Sequence, residues 1–244
     1  RLGELHEIQG SGGLVTNMKN VGLLLIATGK YDLFVPQLIE SANKHFLSNH
    51  NVTHFLFTDS QSDFNELNLT KIYQPHEPWP SSTLHRYKMF SNNRELLHEQ
   101  DYLFYCDVDM KFINTVGGEI LSKSVSTIHP GHYGSRGAPE TNPNSLAYVG
   151  PTEKLIYFAG GFQGGETIEF LRMSSELSKR IEEDKKNGII AKWHDESHMN
   201  RWRIDNPPTK ILDCGYCFQA SLPRPHTPRI LALEKDKRAF RSEE

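Results

Sequence analysis

The spacing of apolar residues changes along the chain, and each spacing predicts a structural element. Residues 21–27, VGLLLIA, are continuously apolar, as expected of a strand that is buried on both faces. A four-residue spacing follows and predicts an amphipathic helix with Phe34, Leu38 and Ala42 on one face. Residues 52–57 are a second apolar run, which predicts the next strand.

The second part of the sequence continues this alternation. After a proline-rich stretch, residues 81–99 predict one helix that begins at a serine cap. Residues 103–108 and 126–128 predict strands, and residues 170–181 predict a helix that stops near Gly188. Strands and helices in this order predict an α/β domain with an open, mostly parallel sheet flanked by helices. Ligands of such sheets bind at the carboxyl ends of the strands.

The composition fits one globular domain. The chain has 244 residues, 37% of them apolar and 23% charged, and a net charge of −3. This weak charge argues against nucleic-acid binding, which needs a basic surface. No apolar stretch has the length of a membrane span. Residues 1–17 are polar and glycine-rich, so we predict an added or disordered extension there and a single domain over residues 18–244.

Two aspartates end the strand predicted at residues 103–108. Asp107 and Asp109 would share one face of that strand, because successive side chains point to opposite faces. Paired carboxylates at a strand end suit a hard divalent cation such as Mg²⁺ or Mn²⁺, which keeps positions open for substrate phosphates. The alternative is an ordinary turn with solvated aspartates.

A glycine-rich segment, YFAGGFQGG, occupies residues 157–165. Glycines leave the backbone without side chains, so that a bulky ligand can approach closely. The segment has neither the lysine of a Walker motif nor the G-x-G-x-x-G spacing, which excludes those two nucleotide-binding loops. A turn without any ligand is the alternative.

The third candidate segment is WHDESHMN, residues 193–200. Two carboxylates, two histidines and a tryptophan would be costly to bury without partners, and the Trp193 ring offers a flat surface for a sugar. A solvated helix start is the alternative, and a zinc site through His194 and His198 is a weaker one. The late Cys214-x-x-Cys217 pair is interpreted as two packed or surface thiols in a reducing compartment.

Taken together and in order, six motifs resemble the family 6 retaining glycosyltransferases. These are ATGKY, HRYKMF, YCDVDM, HPGHYG, YFAGGFQGG and WHDESHMN, and the resemblance runs from about residue 20 to residue 241. It implies a GT-A fold and retaining transfer of galactose or N-acetylgalactosamine from a UDP-sugar to the 3-hydroxyl of a β-galactoside. In many relatives that galactoside carries an α1,2-fucose.

The resemblance also implies roles for single residues on the donor side. The positions that match family contacts to the UDP-sugar are Ala27, Thr28, Tyr31, Arg86, Val108, Ala159, Gly160, Gly161, Asp195, Lys235 and Arg241. Asp107 and Asp109 match the metal-binding pair, which implies dependence on Mn²⁺ or Mg²⁺. Lys235 and Arg241 are expected to close over the diphosphate.

On the acceptor side, the resemblance implies contacts from His129 and Glu196, and we add Trp193 for its flat ring. Glu196 is the predicted catalytic carboxylate that faces the anomeric carbon. The resemblance also implies that Ala159 and Gly161 lie beside C2 of the donor sugar, and that a glycine at the second of these positions goes with N-acetylgalactosamine. We therefore predict UDP-N-acetylgalactosamine, with UDP-galactose as the alternative.

Two other classes of protein remain open. A metal-assisted hydrolase would use the same aspartates but leave the glycines without a role. A non-catalytic sugar-binding module would need the tryptophan but no metal. For the location we expect the cytoplasm of a microbe or a virus-infected cell, with a Golgi luminal domain freed of its anchor as the alternative.

Overall fold

The computed structural model describes residues 17–64, 69–236 and 240. The strands are β1 (Asn20–Ile26), β2 (Asn51–Thr58), β3 (Leu69–Tyr73), β4 (Tyr102–Cys106), β5 (Met110–Phe112), β6 (Ser124–Ile128), β7 (Phe158–Glu166), β8 (Lys210–Leu212) and β9 (Ile230–Ala232). The helices are α1 (Val35–His45), α2 (Ser81–Leu84), α3 (Arg86–Asn92), α4 (Arg94–Leu97), α5 (Thr167–Lys186) and α6 (His194–Asp205). The predicted extension at residues 1–17 lies almost wholly outside the described residues.

Seven strands form the main sheet, in the order β3-β2-β1-β4-β7-β6-β8. The pairs β2/β3, β1/β2, β1/β4 and β6/β8 are parallel, whereas β7 runs antiparallel to both of its neighbours. The predicted α/β class and the mostly parallel sheet are therefore confirmed. A second, two-stranded sheet pairs β5 with β9.

Two apolar clusters cover the two faces of this sheet. Phe104 belongs to the cluster beneath α1, and the next residue, Tyr105, belongs to the cluster beneath α3, α5 and α6. This alternation follows from the two-residue period of a strand. β1 is buried on both faces from Val21 to Leu25, as its continuous apolar run predicted.

The glycine-rich segment is a strand and not a turn, so that alternative is wrong. It forms most of β7, which lies inside the sheet between β4 and β6. A Cβ atom at Gly164 would lie 2.3 Å from the Phe104 ring, and one at Gly165 would lie 2.4 Å from the Lys123 carbonyl oxygen. These two glycines permit close strand packing, because atoms of the neighbouring strands occupy the space of a side chain.

Two further boundaries differ from the prediction. The single helix predicted over residues 81–99 is three short helices, which are interrupted at His85 and Asn93. The Asn93 side chain donates to the Met89 carbonyl oxygen at 2.8 Å, and this local bond competes with continuation of the helix. β4 ends at Cys106, so Asp107 and Asp109 lie in the turn that follows it rather than on one face of a strand.

Candidate active site

A cleft of about 640 Å³ opens where the carboxyl ends of β1 and β4 meet the start of β7. Eleven residues predicted from the sequence line it: Thr28, Tyr31, Arg86, Asp107, Val108, Asp109, His129, Ala159, Gly161, Glu196 and Lys235. These residues are spread over more than two hundred positions of the sequence, and the fold brings their side chains together in one cleft.

The acidic turn places its two carboxylates in different surroundings. Asp107 accepts a hydrogen bond from the Tyr105 hydroxyl at 2.6 Å, and Arg86 Nη2 lies 3.4 Å from the same oxygen. Asp109 pairs with the Lys235 ammonium group. Burial, and then repulsion from Asp107, raise the pKa of Asp109 although Lys235 opposes the shift. The turn therefore attracts positive charge.

Arg86, on α3, links the two walls of the cleft. Its Nη1 donates to the Gly160 carbonyl oxygen at 2.7 Å, and its Nε lies 3.2 Å from Asp195 Oδ2. The guanidinium plane also lies over the Tyr105 ring, 4.2 Å from its centroid. Because Arg86 is only 6% exposed, these contacts hold its charge at one place in the cleft.

Glu196 lies in the first turn of α6 and lines the cleft beside the backbone of Gly160. The Gly160 N–H donates to Glu196 Oε2 at 2.9 Å. Burial raises the pKa of Glu196 to about 7, with a further increase from Asp195, while the Gly160 N–H, Tyr157 and Arg86 act in the opposite direction. The result is a carboxylate that titrates near neutral pH, which suits a catalytic role.

Asp195, the neighbour of Glu196, is 4% exposed. Burial raises its pKa to about 6, although Arg86 stabilises the charged form. The alternative of a solvated helix start is therefore wrong for this pair. The weaker zinc alternative also lacks support, since no three histidine, cysteine or carboxylate side chains gather into a metal-binding group in the described residues.

His129 presents a neutral imidazole to the cleft. Burial, and then the neighbouring His132, lower its pKa to about 4. Its Nδ1 accepts the Gly131 N–H at 3.0 Å, which places the ring proton on Nε2 at neutral pH. His129 can therefore donate a hydrogen bond to a polar ligand.

The C-terminal segment covers one end of the cleft. Lys235 Nζ lies 4.2 Å from the centroid of the Tyr31 ring. The Phe240 ring packs edge-on against Tyr31 at 5.2 Å and lies 5.3 Å from Phe34. Lys235 is thus held between the ring of Tyr31, a predicted donor contact, and the acidic turn. Arg241 lies outside the described residues, so its predicted role stays a prediction.

Four predicted residues do not line the cleft directly. Ala27, Gly160 and Asp195 lie behind its wall, and Ala27 is completely buried. Trp193 is 47% exposed at the N-terminus of α6 and lies outside the lining. Its predicted contact with a sugar stays a prediction.

Sequence reasoning missed several residues of the cleft. Trp79 and His76, from the proline-rich stretch, form part of the lining, and Trp79 packs edge-on against His194 at 4.9 Å. Cys217 also lines the cleft, whereas Cys214 does not; both are buried free thiols. The prediction of packed thiols is confirmed. An isolated tryptophan among prolines was the one signal that could have indicated a binding role.

Asp107 and Asp109 are the residues that fit a divalent cation. Their carboxylates are part-exposed at the cleft, and the Lys235 ammonium already supplies a positive charge to one of them. Carboxylate oxygens are the ligands that Mg²⁺ and Mn²⁺ prefer.

In the described part of the chain, no helix is long and apolar enough to cross a membrane.

Most of this chain is similar to known proteins. A family model described as Glycosyltransferase family 6 matches residues 14–242. Histo-blood group ABO system transferase 1 of Rattus norvegicus is 38% identical over 214 residues, which are 83% of this chain and 62% of that protein. The chain therefore spans somewhat less than two thirds of this relative.

Two other relatives extend the comparison. Globoside alpha-1,3-N-acetylgalactosaminyltransferase 1 of Homo sapiens is 31% identical over 237 residues, covering 91% of this chain and 68% of that protein. O-antigen biosynthesis glycosyltransferase WbnI of Escherichia coli is 25% identical over 227 residues, covering 90% of this chain and 97% of that protein. The match to WbnI shows that a protein of nearly this length occurs among the relatives.

Proposed function

This chain belongs to glycosyltransferase family 6, and we propose that it is a retaining α1,3-glycosyltransferase. The proposed donor is UDP-N-acetylgalactosamine, and the proposed acceptor is the 3-hydroxyl of a β-galactoside, with or without an α1,2-fucose. The observation that carries the proposal is one cleft that holds the Asp107–Asp109 turn, the buried Glu196 and the basic Lys235. UDP-galactose remains the alternative donor.

The cleft has the charges that such a reaction needs. The bond from the anomeric carbon to the diphosphate breaks with its electrons going to UDP, and a bond to the acceptor 3-oxygen forms as the proton of that hydroxyl passes to the departing diphosphate. Positive charge develops at the sugar, beside Glu196, and negative charge develops on the diphosphate, where Lys235 supplies a cation. Arg86, which lines the cleft, would orient the donor sugar through hydrogen bonds, and Asp195 would hold Arg86 in place through the contact between Arg86 Nε and Asp195 Oδ2.

A divalent cation is part of the proposal. Asp107 and Asp109 would hold Mn²⁺ or Mg²⁺, which would neutralise charge on the UDP leaving group. The Lys235 ammonium that pairs with Asp109 would become available to the diphosphate when a cation takes its place. Nothing in the proposed roles of Glu196 or Arg86 depends on which cation binds.

The names of the relatives and the free thiols support two further parts of the proposal. The human relative is named as an N-acetylgalactosaminyltransferase, in agreement with the proposed donor. Cys106, Cys214 and Cys217 are all free, as expected in a reducing compartment, and this supports a cytoplasmic location.

The test of the function is incubation of the chain with each UDP-sugar, Mn²⁺ and β-galactosides with and without α1,2-fucose. We expect a glycosylated acceptor with retained α configuration at the new linkage. Free sugar alone would favour the hydrolase alternative, and binding without turnover would favour the sugar-binding module. Absence of UDP release with every donor and cation would contradict the proposal.

Donor choice can be tested at Gly161, which lines the cleft. A Cβ atom there would lie 3.0 Å from Asp107 Oδ2 and 3.4 Å from the Cys217 sulfur. We expect Gly161→Ala to lower kcat/KM for both donors, because Asp107 must shift. The loss should be about tenfold larger for UDP-N-acetylgalactosamine, since one methyl-sized change in a pocket is worth about 1 to 3 kcal/mol.

Gly118→Ala is the matched control for Gly161→Ala, because a Cβ atom at Gly118 would meet no atom within 4 Å. Its kcat/KM should equal that of the wild type for both donors. A clear wild-type preference for UDP-galactose would overturn the proposed donor but not the family.

The pH dependence of kcat/KM reports on the carboxylates of α6 in the free enzyme. Glu196 must be ionised to stabilise positive charge, and burial raises its pKa to about 7. Because protonation removes this charge, kcat/KM should fall as the pH drops through the region between the pKa of Asp195, about 6, and that of Glu196. Initial rates from about pH 5 to about pH 9 would show this fall in kcat/KM. A flat profile would contradict the assignment of Glu196 as the catalytic carboxylate.

A further inference from the structure

β7 contains a bulge beside the cleft. Along β6, Ser126 pairs with Gln163 but the next residue, Thr127, pairs with Ala159. Residues 160–162 therefore have no partners on β6. The Thr127 hydroxyl donates to the Phe162 carbonyl oxygen at 2.8 Å and fills part of the gap in the ladder. Bulges of this kind redirect backbone groups and are common next to active sites.

The bulge frees the Gly160 peptide groups for the cleft. On the other side of β7, the pairing with β4 ends at Phe162, and Asp107 N–H then donates to the Gly161 carbonyl oxygen at 2.8 Å. Gly160 therefore faces no residue of either neighbouring strand. Its N–H donates to Glu196, and its carbonyl oxygen accepts from Arg86. Gly160 thus connects the carboxylate of Glu196 with the guanidinium group of Arg86.

Gln163 supports this connection from inside the sheet. It is completely buried, and its Nε2 lies 3.3 Å from the Gly160 carbonyl oxygen, which also accepts from Arg86. The Tyr87 hydroxyl lies 3.0 Å from Gln163 Nε2 and 3.2 Å from its Oε1. Tyr87 follows Arg86 directly on α3, so the amide joins the bulge to the helix that carries Arg86.

We infer that Gln163 is a positioning residue for the proposed transfer reaction. It orients the backbone of Gly160, whose N–H contacts Glu196 and whose carbonyl oxygen contacts Arg86. The inference rests on the proposed function for its kinetic effect. Gln163 does not line the cleft and touches no substrate. Its effect comes from a second donor at the Gly160 carbonyl oxygen, which has no strand partner. This donor limits rotation of the peptide unit between Gly160 and Gly161. The N–H that Glu196 accepts lies in the adjoining peptide unit, which shares the Gly160 Cα atom and is therefore restrained through it.

A mainly structural role makes a different prediction. If the pair of Gln163 and Tyr87 only filled the sheet interior, then Gln163→Met and Tyr87→Phe would have similar consequences, because both remove the hydrogen bonding between these two side chains. If Gln163 acts through Gly160, Tyr87→Phe keeps the amide N–H that faces the Gly160 oxygen, whereas Gln163→Met removes it. The two variants therefore separate positioning from packing.

The experiment compares Gln163→Met, Tyr87→Phe and the control Ser174→Ala, whose lost bond is to the Phe170 carbonyl oxygen within α5. We expect Gln163→Met to lower kcat about 10- to 100-fold with a smaller change in KM, since small misplacements of catalytic groups have effects of this size. Tyr87→Phe should lose much less, and Ser174→Ala should keep wild-type kcat. Equal kcat values for Gln163→Met and Tyr87→Phe would overturn the inference while leaving the proposed function intact.

A second measurement does not depend on turnover. Carboxylate NMR of the free protein follows the titration of Glu196, which is faced by Arg86, Asp195, Tyr157 and the Gly160 N–H. Because that N–H favours the charged form, Gln163→Met should shift the Glu196 midpoint to higher pH, and Ser174→Ala should not. Superimposable titrations in wild type and Gln163→Met would overturn the inference. If the wild type transferred no sugar, the proposed function would fail, and the NMR comparison would still decide the position of Glu196.

Discussion

Replacement of Glu196 by glutamine should lower kcat about a hundredfold to a thousandfold, the size found when one charge-stabilising group is removed from an active site. A retaining reaction can form a glycosyl-enzyme intermediate on this carboxylate, or the carboxylate can stabilise the cationic sugar while the acceptor attacks from the same face. Both routes need its negative charge. Glutamine keeps an oxygen that can accept the Gly160 N–H, so the fold and the cleft should survive.

Steady-state kinetics with saturating donor and direct measurement of UDP-sugar binding would check this prediction. Donor affinity should change much less than kcat, because the charge matters most in the transition state. Glu176→Gln on α5 is the matched control, since Glu176 pairs with Arg180 at the surface. Near-normal kcat in Glu196→Gln would refute the catalytic assignment.

Loss of either carboxylate of the acidic turn should lower activity about a hundredfold or more. The proposed cation would contribute several kcal/mol to stabilisation of the leaving group, and each 1.36 kcal/mol is worth about a factor of ten in rate. Asp107→Asn should retain the contact with the Tyr105 hydroxyl, and Asp109→Asn should leave Lys235 without its ion pair. Both variants should bind Mn²⁺ more weakly in the presence of UDP.

Asp101→Asn makes the same chemical change at the other end of β4, where Asp101 accepts the Asn20 N–H. It should keep wild-type activity. Excess chelator should abolish turnover of the wild type, and added Mn²⁺ should restore it. Full turnover in chelator would rule out the metal-dependent mechanism, even if both aspartates proved essential.

Local sequence patterns predicted those parts of the fold that depend on local interactions. The apolar run of β1 and the four-residue spacing of α1 each specify a buried surface, because burial of apolar side chains requires that period. The same local reasoning failed for β7, whose glycines look like a turn in isolation. They lie in a strand because β7 pairs with β4 and β6, and Gly164 and Gly165 are needed there because Phe104 and the Lys123 backbone leave no space for a side chain.

By itself, the sequence of this protein determined the α/β class, the order of the motifs and eleven of the twenty-seven residues that line the cleft. Only the tertiary structure decided how these residues act on one another. Lys235 pairs with Asp109 across 126 positions, and Glu196 meets Gly160 across 36. The raised pKa of Glu196 and the freed Gly160 peptide come from burial and from strand register. Both depend on contacts between distant segments, which a local pattern of residues does not encode.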